Sequence, residues 1–173
     1  GWFFDPAAFG GILVDIASHQ IDQYLFFTGQ PGARIASAST ANYALPELPQ
    51  FEDYGEILLQ GEDASGFIRV DWFTPDSLKA WGDGRLFLLG TDGYIELRKY
   101  IDIDGRPGAD HLFISNSTGT RHIDASAEPL TYFANFLADV RNRTSIAMPP
   151  GHALVVTRLA IAAQDLARGA PKS

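Results

Sequence analysis

Apolar residues recur at helical spacing soon after the paired glycines Gly10-Gly11, and the period predicts a helix over 13–28. Gly29 and Pro31 supply its stop signals, since glycine tolerates the left-handed turn that ends a helix and proline cannot continue one. At 100° per residue, Ser18, Asp22, Asp15, His19 and Gln23 fall on one stripe about 140° wide. Ile16, Ala17, Ile21, Tyr24 and Leu25 take most of the remaining surface, and only Gln20 breaks the apolar side. One face is therefore expected to be buried and the other to carry a row of chemically capable groups.

The period then changes. Residues 34–43, 53–60, 66–73, 85–89, 94–100, 111–115 and 121–124 read as strands, with turn clusters at 61–65, 90–93 and 117–119 closing three hairpins. Turns this short exclude parallel crossovers, so the strands form an antiparallel meander. In 66–73, Ile68, Val70 and Trp72 take one face and Phe67, Arg69, Asp71 and Phe73 the other. The second face is mixed and aromatic, which suits packing against another protein surface. Two helices close the chain. The first, 129–143, carries Leu130, Phe133, Leu137 and Val140 as its apolar stripe. The second, 152–168, carries Val155, Leu159, Ala162 and Leu166 on one side and stops at Gly169 and Pro171. A helix, a run of strands and two helices predict an α+β fold: a predominantly antiparallel open sheet with helices packed on one face.

Composition narrows the function classes. A length of 173 residues suits one domain or two small ones. The net charge of −8 argues against a binder that tracks nucleic-acid phosphates, which needs a basic face. With no cysteine, disulfides, thiolate metal sites and a cysteine nucleophile are excluded. No apolar run approaches the roughly 20 residues that span a bilayer, so no membrane partner is expected. The chain opens Gly1-Trp2-Phe3-Phe4-Asp5 without a methionine or a leader-like basic and apolar stretch. It is expected to be a piece of a longer polypeptide.

Asp15 and His19 are four apart, one helical turn, and Asp22 follows three further on. A carboxylate beside an imidazole raises the ring's proton affinity and fixes its orientation, which suits a general base near neutral pH. The alternative is a solvated surface pair worth a few tenths of a kcal/mol. No metal site is expected. His111, His122 and His152 lie in separate segments without partner spacing, and there is no His-Glu-x-x-His. The run 102–105 starts like a calcium loop, but its glycine comes too early and Phe113 stands at the twelfth position, so it reads as a polar turn. There is no Gly-x-Ser-x-Gly, no Gly-x-Gly-x-x-Gly and no P-loop, hence no visible cradle for nucleotide phosphates. Trp72, Phe73, Trp81 and Tyr100 could line a sugar site, but strand aromatics more commonly serve as core or interface.

The run Gly10-Gly11-Ile12-Leu13-Val14-Asp15-Ile16-Ala17-Ser18-His19-Gln20-Ile21-Asp22, followed by Thr28-Gly29-Gln30-Pro31, resembles the glycine–Asp–His helix of the Gfo/Idh/MocA oxidoreductases. Leu88-Leu89-Gly90-Thr91-Asp92-Gly93-Tyr94-Ile95 resembles that family's strand, Gly-Thr-x-Gly turn and strand. Tyr132-Phe133-Ala134-Asn135-Phe136 and Ala160-Ile161-Ala162-Ala163-Gln164 resemble its two late helices. The resemblance covers nearly the whole chain, and the helix motif is its most specific part.

This resemblance implies a C-terminal substrate-binding and oligomerisation domain of the glyceraldehyde-3-phosphate dehydrogenase-like kind over 1–173. A Rossmann domain, absent from this chain, would hold NAD or NADP. The implied activity is hydride transfer between the nicotinamide and a sugar, inositol or related polyol. His19 would be the general base, with Asp15 beside it, and Asp22 and Gln23 would contact substrate. The family's Glu-Lys-Pro lysine has no counterpart here. The same resemblance allows an NAD-using glycosidase, and a non-catalytic interaction module stands beside both. A homo-oligomer through the open sheet face, a cytoplasmic location and inactivity of this fragment alone are the remaining expectations.

Overall fold

The computed structural model describes residues 1–78 and 80–169. The elements in chain order are α1 (Pro6–Phe9), α2 (Ile12–Asp15), α3 (Ala17–Thr28), β1 (Arg34–Ala41), β2 (Tyr54–Gln60), β3 (Ser65–Asp71), β4 (Arg85–Leu89), β5 (Gly93–Arg98), β6 (His111–Asn116), β7 (Gly119–Asp124), α4 (Tyr132–Asn142) and α5 (Pro150–Ala167). They group into two compact units, one made of Gly1–Phe73 with Tyr132–Ser173 and the other of Thr74–Thr131. Every strand pairing is antiparallel, and the α+β class read from the sequence is the one observed.

In the first unit β1, β2 and β3 form a sheet in that order. Cross-strand pairing sets Ile57 opposite Ile68 and Gly55 opposite Val70. Ile57, Leu59, Ile68 and Val70 are buried on one face, whereas Leu58, Phe67 and Arg69 are exposed on the other, as the alternation in 66–73 requires. The buried face meets Ile12, Leu13, Ala17, Ile21, Leu25, Leu159, Ala160 and Ala163 from α2, α3 and α5. Gly55 permits that contact: a Cβ there would lie 2.6 Å from Leu13 Cδ2 and 2.8 Å from Ile12 Cγ2. Buried Asp53 anchors the preceding loop by accepting from the Tyr43 and Ala44 amides at 2.9 and 2.7 Å. In the second unit β4 to β7 form a four-stranded meander.

Three helical expectations need correction. The helix over 13–28 is broken at Ile16, where the ladder tightens and the His19 amide bonds the Ile16 carbonyl at 3.1 Å. Its end is as expected, with Gly29 in the left-handed region at φ 64°. The helix over 129–143 starts only at Tyr132, so Leu130 lies outside it, and Phe133, Leu137 and Val140 are exposed. Its buried residue is instead Asp139, drawn inward by the loop it caps. Asp139 accepts from the Ile146 and Ala147 amides, each at 2.8 Å, and from the Thr144 hydroxyl at 2.6 Å. In α5 the buried positions are Leu159, Ala160, Ala163 and Gln164, while Ala162 is exposed. The polar bonds of Gln164, described below, turn that face inward.

The Ile146 amide, the Thr144 hydroxyl and the Ala147 amide together hold the Asp139 carboxyl below the usual carboxylate range. Ser126, through its hydroxyl and its amide, does the same for Asp124 in the second unit. A carboxyl whose folded value is depressed stabilises the fold above its unfolded value near 3.9, and that contribution disappears as pH falls through the folded value. The urea midpoint should therefore decline once pH drops below about 4. Asp139→Asn should lower the midpoint at neutral pH and make the acid decline shallower. Urea titrations from neutral pH into acid check this, and an Asn variant with an unchanged acid slope would contradict it.

Candidate active site on the first helical ridge

The ridge is positioned from beneath and from one end. Beneath it, Ala17, Ile21, Tyr24 and Leu25 are buried against the sheet, which turns the polar stripe of α2 and α3 outward. Asp15, at the end of α2, is exposed, as are His19 in the first turn of α3 and Gln23; Ser18 and Asp22 are half-buried. The predicted stripe is thus the one that faces outward.

At its start, α2 is clamped by distant side chains. The Ile12 amide donates to Glu52 Oε2 at 3.0 Å and the Leu13 amide to Gln164 Oε1 at 3.1 Å. Gln164 Nε2 donates in turn to both Glu52 oxygens at 2.9 and 3.0 Å, and Arg168 Nε reaches Glu52 Oε1 at 3.0 Å. Two amides that a helix start normally leaves unpaired are thereby satisfied. Gly11 sits at φ 114° beneath this clamp, and a Cβ there would come within 2.2 Å of Gln164 Oε1.

The structure keeps Asp15 and His19 on one exposed ridge but does not link them. Among the described residues no side-chain hydrogen bond joins the two, because the break at Ile16 separates their helices. The carboxylate–imidazole contact on this ridge lies elsewhere: His152 Nε2 and Asp22 Oδ1 are 2.6 Å apart. His152 belongs to the first turn of α5 and stands 130 positions from its partner, so nothing in local spacing points to it. The reading of His111 and His122 as separate is likewise corrected. Their Nδ1 and Nε2 atoms lie 3.1 Å apart across β6 and β7, with stacked rings and His111 fully buried.

These groups suit hydroxyls and a proton better than a pyrophosphate. A helix start binds phosphate through free amides and positive potential. Here the Ile12 and Leu13 amides are engaged, and the Glu52 carboxylate occupying that end would repel a phosphate. The outer ridge instead offers an imidazole, two carboxylates and the Gln23 amide. No helix among the described residues is long and apolar enough to cross a membrane.

No curated protein matches the sequence. The solved structure of a protein assigned as an oxidoreductase from Erwinia carotovora atroseptica SCRI1043 is 45% identical and superposes with a TM-score of 0.92, covering 96% of this chain and 50% of that one. A second, from Thermotoga maritima, is 18% identical with a TM-score of 0.82, covering 96% of this chain and 47% of that one. A 3-ketoreductase from Actinomadura kijaniata, solved with NADP and TDP-benzene, is 14% identical with a TM-score of 0.63, covering 98% and 49%. The last two are similar in fold alone. The chain spans about half the length of each of these proteins. The sequence profile of the GFO/IDH/MocA C-terminal domain matches residues 1–96, more than half of the chain. With that profile match and the 45% identical relative in agreement, the chain belongs to the GFO/IDH/MocA C-terminal domain family.

Proposed function

We propose that this chain is the substrate-binding and oligomerisation domain of an NAD- or NADP-dependent oxidoreductase acting on a sugar, an inositol or a related polyol. The observation that carries the reading is the outward row of exposed Asp15, His19 and Gln23 with half-buried Asp22, on α2 and α3, whose undersides are locked into the core. An imidazole kept accessible on a rigid support can approach a reacting hydroxyl without rebuilding the fold. The complex of the Actinomadura kijaniata enzyme with NADP is consistent with the cofactor class.

In this reading a Rossmann domain outside the chain holds the cofactor, and the nicotinamide supplies the hydride acceptor when bound. The residues of this chain handle the proton and the hydroxyls. His19 takes the proton from the substrate hydroxyl in oxidation and returns it to the carbonyl oxygen in reduction. Asp15 orients the ring or accepts from a neighbouring hydroxyl, and Asp22 and Gln23 bind further hydroxyls. The outer sheet face, with Phe67 67% exposed and Leu58 beside it, supports self-association into a homo-oligomer. A cytoplasmic location, where nicotinamide cofactors are abundant, belongs to the same proposal.

The direct test supplies the full-length protein with NAD or NADP and a panel of polyols and follows reduced nicotinamide. Turnover is expected from the full-length protein and none from this chain alone. Turnover by the isolated chain, or none by the full-length protein with any polyol, would overturn the proposal.

A further inference from the structure

Among the described residues, His152 is the titratable side chain outside the predicted stripe that bonds into it. Its Nε2 lies 2.6 Å from Asp22 Oδ1, with the two side chains 23% and 36% exposed. Nε2 is placed to donate a hydrogen to Oδ1, at a separation on the short side for an N–H donor. His152 sits in the first turn of α5, while Asp22 lies in the middle of α3. The bond therefore joins the two helices at the ridge itself. Among the described residues no second hydrogen bond reaches Asp22, so Oδ2 is not engaged.

Asp22 is also one turn beyond His19 on the same helix. Three residues separate them, about 4.5 Å along the axis and about 60° around it. Side chains three apart are neighbours, with Cβ atoms about 5–6 Å apart. A polyhydroxylated substrate whose reacting hydroxyl meets His19 places an adjacent hydroxyl within reach of Asp22. A carboxylate free to rotate would sample several orientations there. One pinned by a single oxygen presents the other in a fixed direction, which lowers the cost of ordering the bound state.

We propose that His152 is a positioning residue for the reaction at His19: it binds Oδ1 of Asp22 so that Oδ2 is presented to a second hydroxyl of the substrate. This rests on the polyol oxidoreductase reading above. His152 itself does not exchange a proton with substrate, and its effect is on binding.

The test is steady-state kinetics of the full-length enzyme with NAD or NADP and a turned-over polyol, below the thermal midpoint of every variant. His152→Ala is expected to raise KM about tenfold while kcat falls less than about threefold. His152→Gln, which keeps an N–H donor but cannot titrate, is expected to bring KM back to within about threefold of the original. In an Asp22→Asn background, His152→Ala should move KM by less than about twofold, because its influence runs through Asp22. An unchanged KM in His152→Ala overturns the proposal, as does failure of Gln to restore it. A kcat loss in both variants as deep as that of His19→Ala also overturns it, since His152 would then be moving the proton. Absence of turnover by the parent full-length protein with any polyol overturns the underlying oxidoreductase reading instead, which separates the two failures.

Discussion

Replacing His19 with alanine in the full-length enzyme is expected to lower turnover about 10²- to 10⁴-fold, the range a positioned general base contributes. The side chain is exposed and takes no hydrogen bond from the described residues, so its removal opens no cavity and strands no buried partner. Stability should consequently stay within about 0.5 kcal/mol of the parent protein. That combination, a deep loss of turnover with an unmoved thermal midpoint, distinguishes a group that meets substrate from one that supports the fold. Steady-state rates beside a thermal melt read both quantities. A variant that keeps its turnover would end the assignment of His19 as base, whatever its stability. In the proposed function a cofactor and the remaining hydroxyl contacts would still orient the substrate, so loss to background is not expected.

Gly11→Ala is expected to cause the largest loss of stability, about 3 kcal/mol or more. Two penalties coincide there. The backbone stands at φ 114°, where an L side chain is strained, and the new methyl would lie 2.2 to 2.6 Å from three atoms of the Gln164 amide group. Gln164 is 2% exposed and cannot move aside without releasing the Leu13 amide and Glu52. Gly29→Ala provides the comparison. Its φ is 64°, and nothing lies within 4 Å of the added carbon, so only the backbone penalty of about 1–2 kcal/mol applies. Urea midpoints of the two variants measure the difference. Equal losses would mean that the clamp around Gln164 yields freely and that Gly11 matters only for its backbone angle.

Much of this layout was legible from residue order. Strand faces, hairpins and the end of α3 follow from alternation, turn chemistry and a glycine at a helix terminus, all of which are local effects. The polar stripe of Asp15, His19, Asp22 and Gln23 was legible for the same reason. The elements that went astray are governed by bonds between distant positions. Gln164 turns α5 because its amide meets Glu52 and Leu13, 112 and 151 positions away. Asp139 turns α4 because loop amides at 146 and 147 need an acceptor. His152 was passed over because its partner is in another helix. His111 and His122 are different. The hairpin register that sets Phe113 opposite His122 also places His111 on the diagonal, so that pair could have been found by counting back from the turn.

The clamp at the start of α2 also orders events during synthesis. The Leu13 amide waits for an acceptor 151 residues later, which at about 5–20 residues per second leaves it unpartnered for roughly 8–30 s of translation. The four strands of the inner unit, Thr74–Thr131, by contrast pair only with sequence neighbours, so every partner in that sheet is made within a few tens of residues. The start of α2 therefore gains its lock only after Gln164 has been made, and a chain that ends before Gln164 lacks that lock.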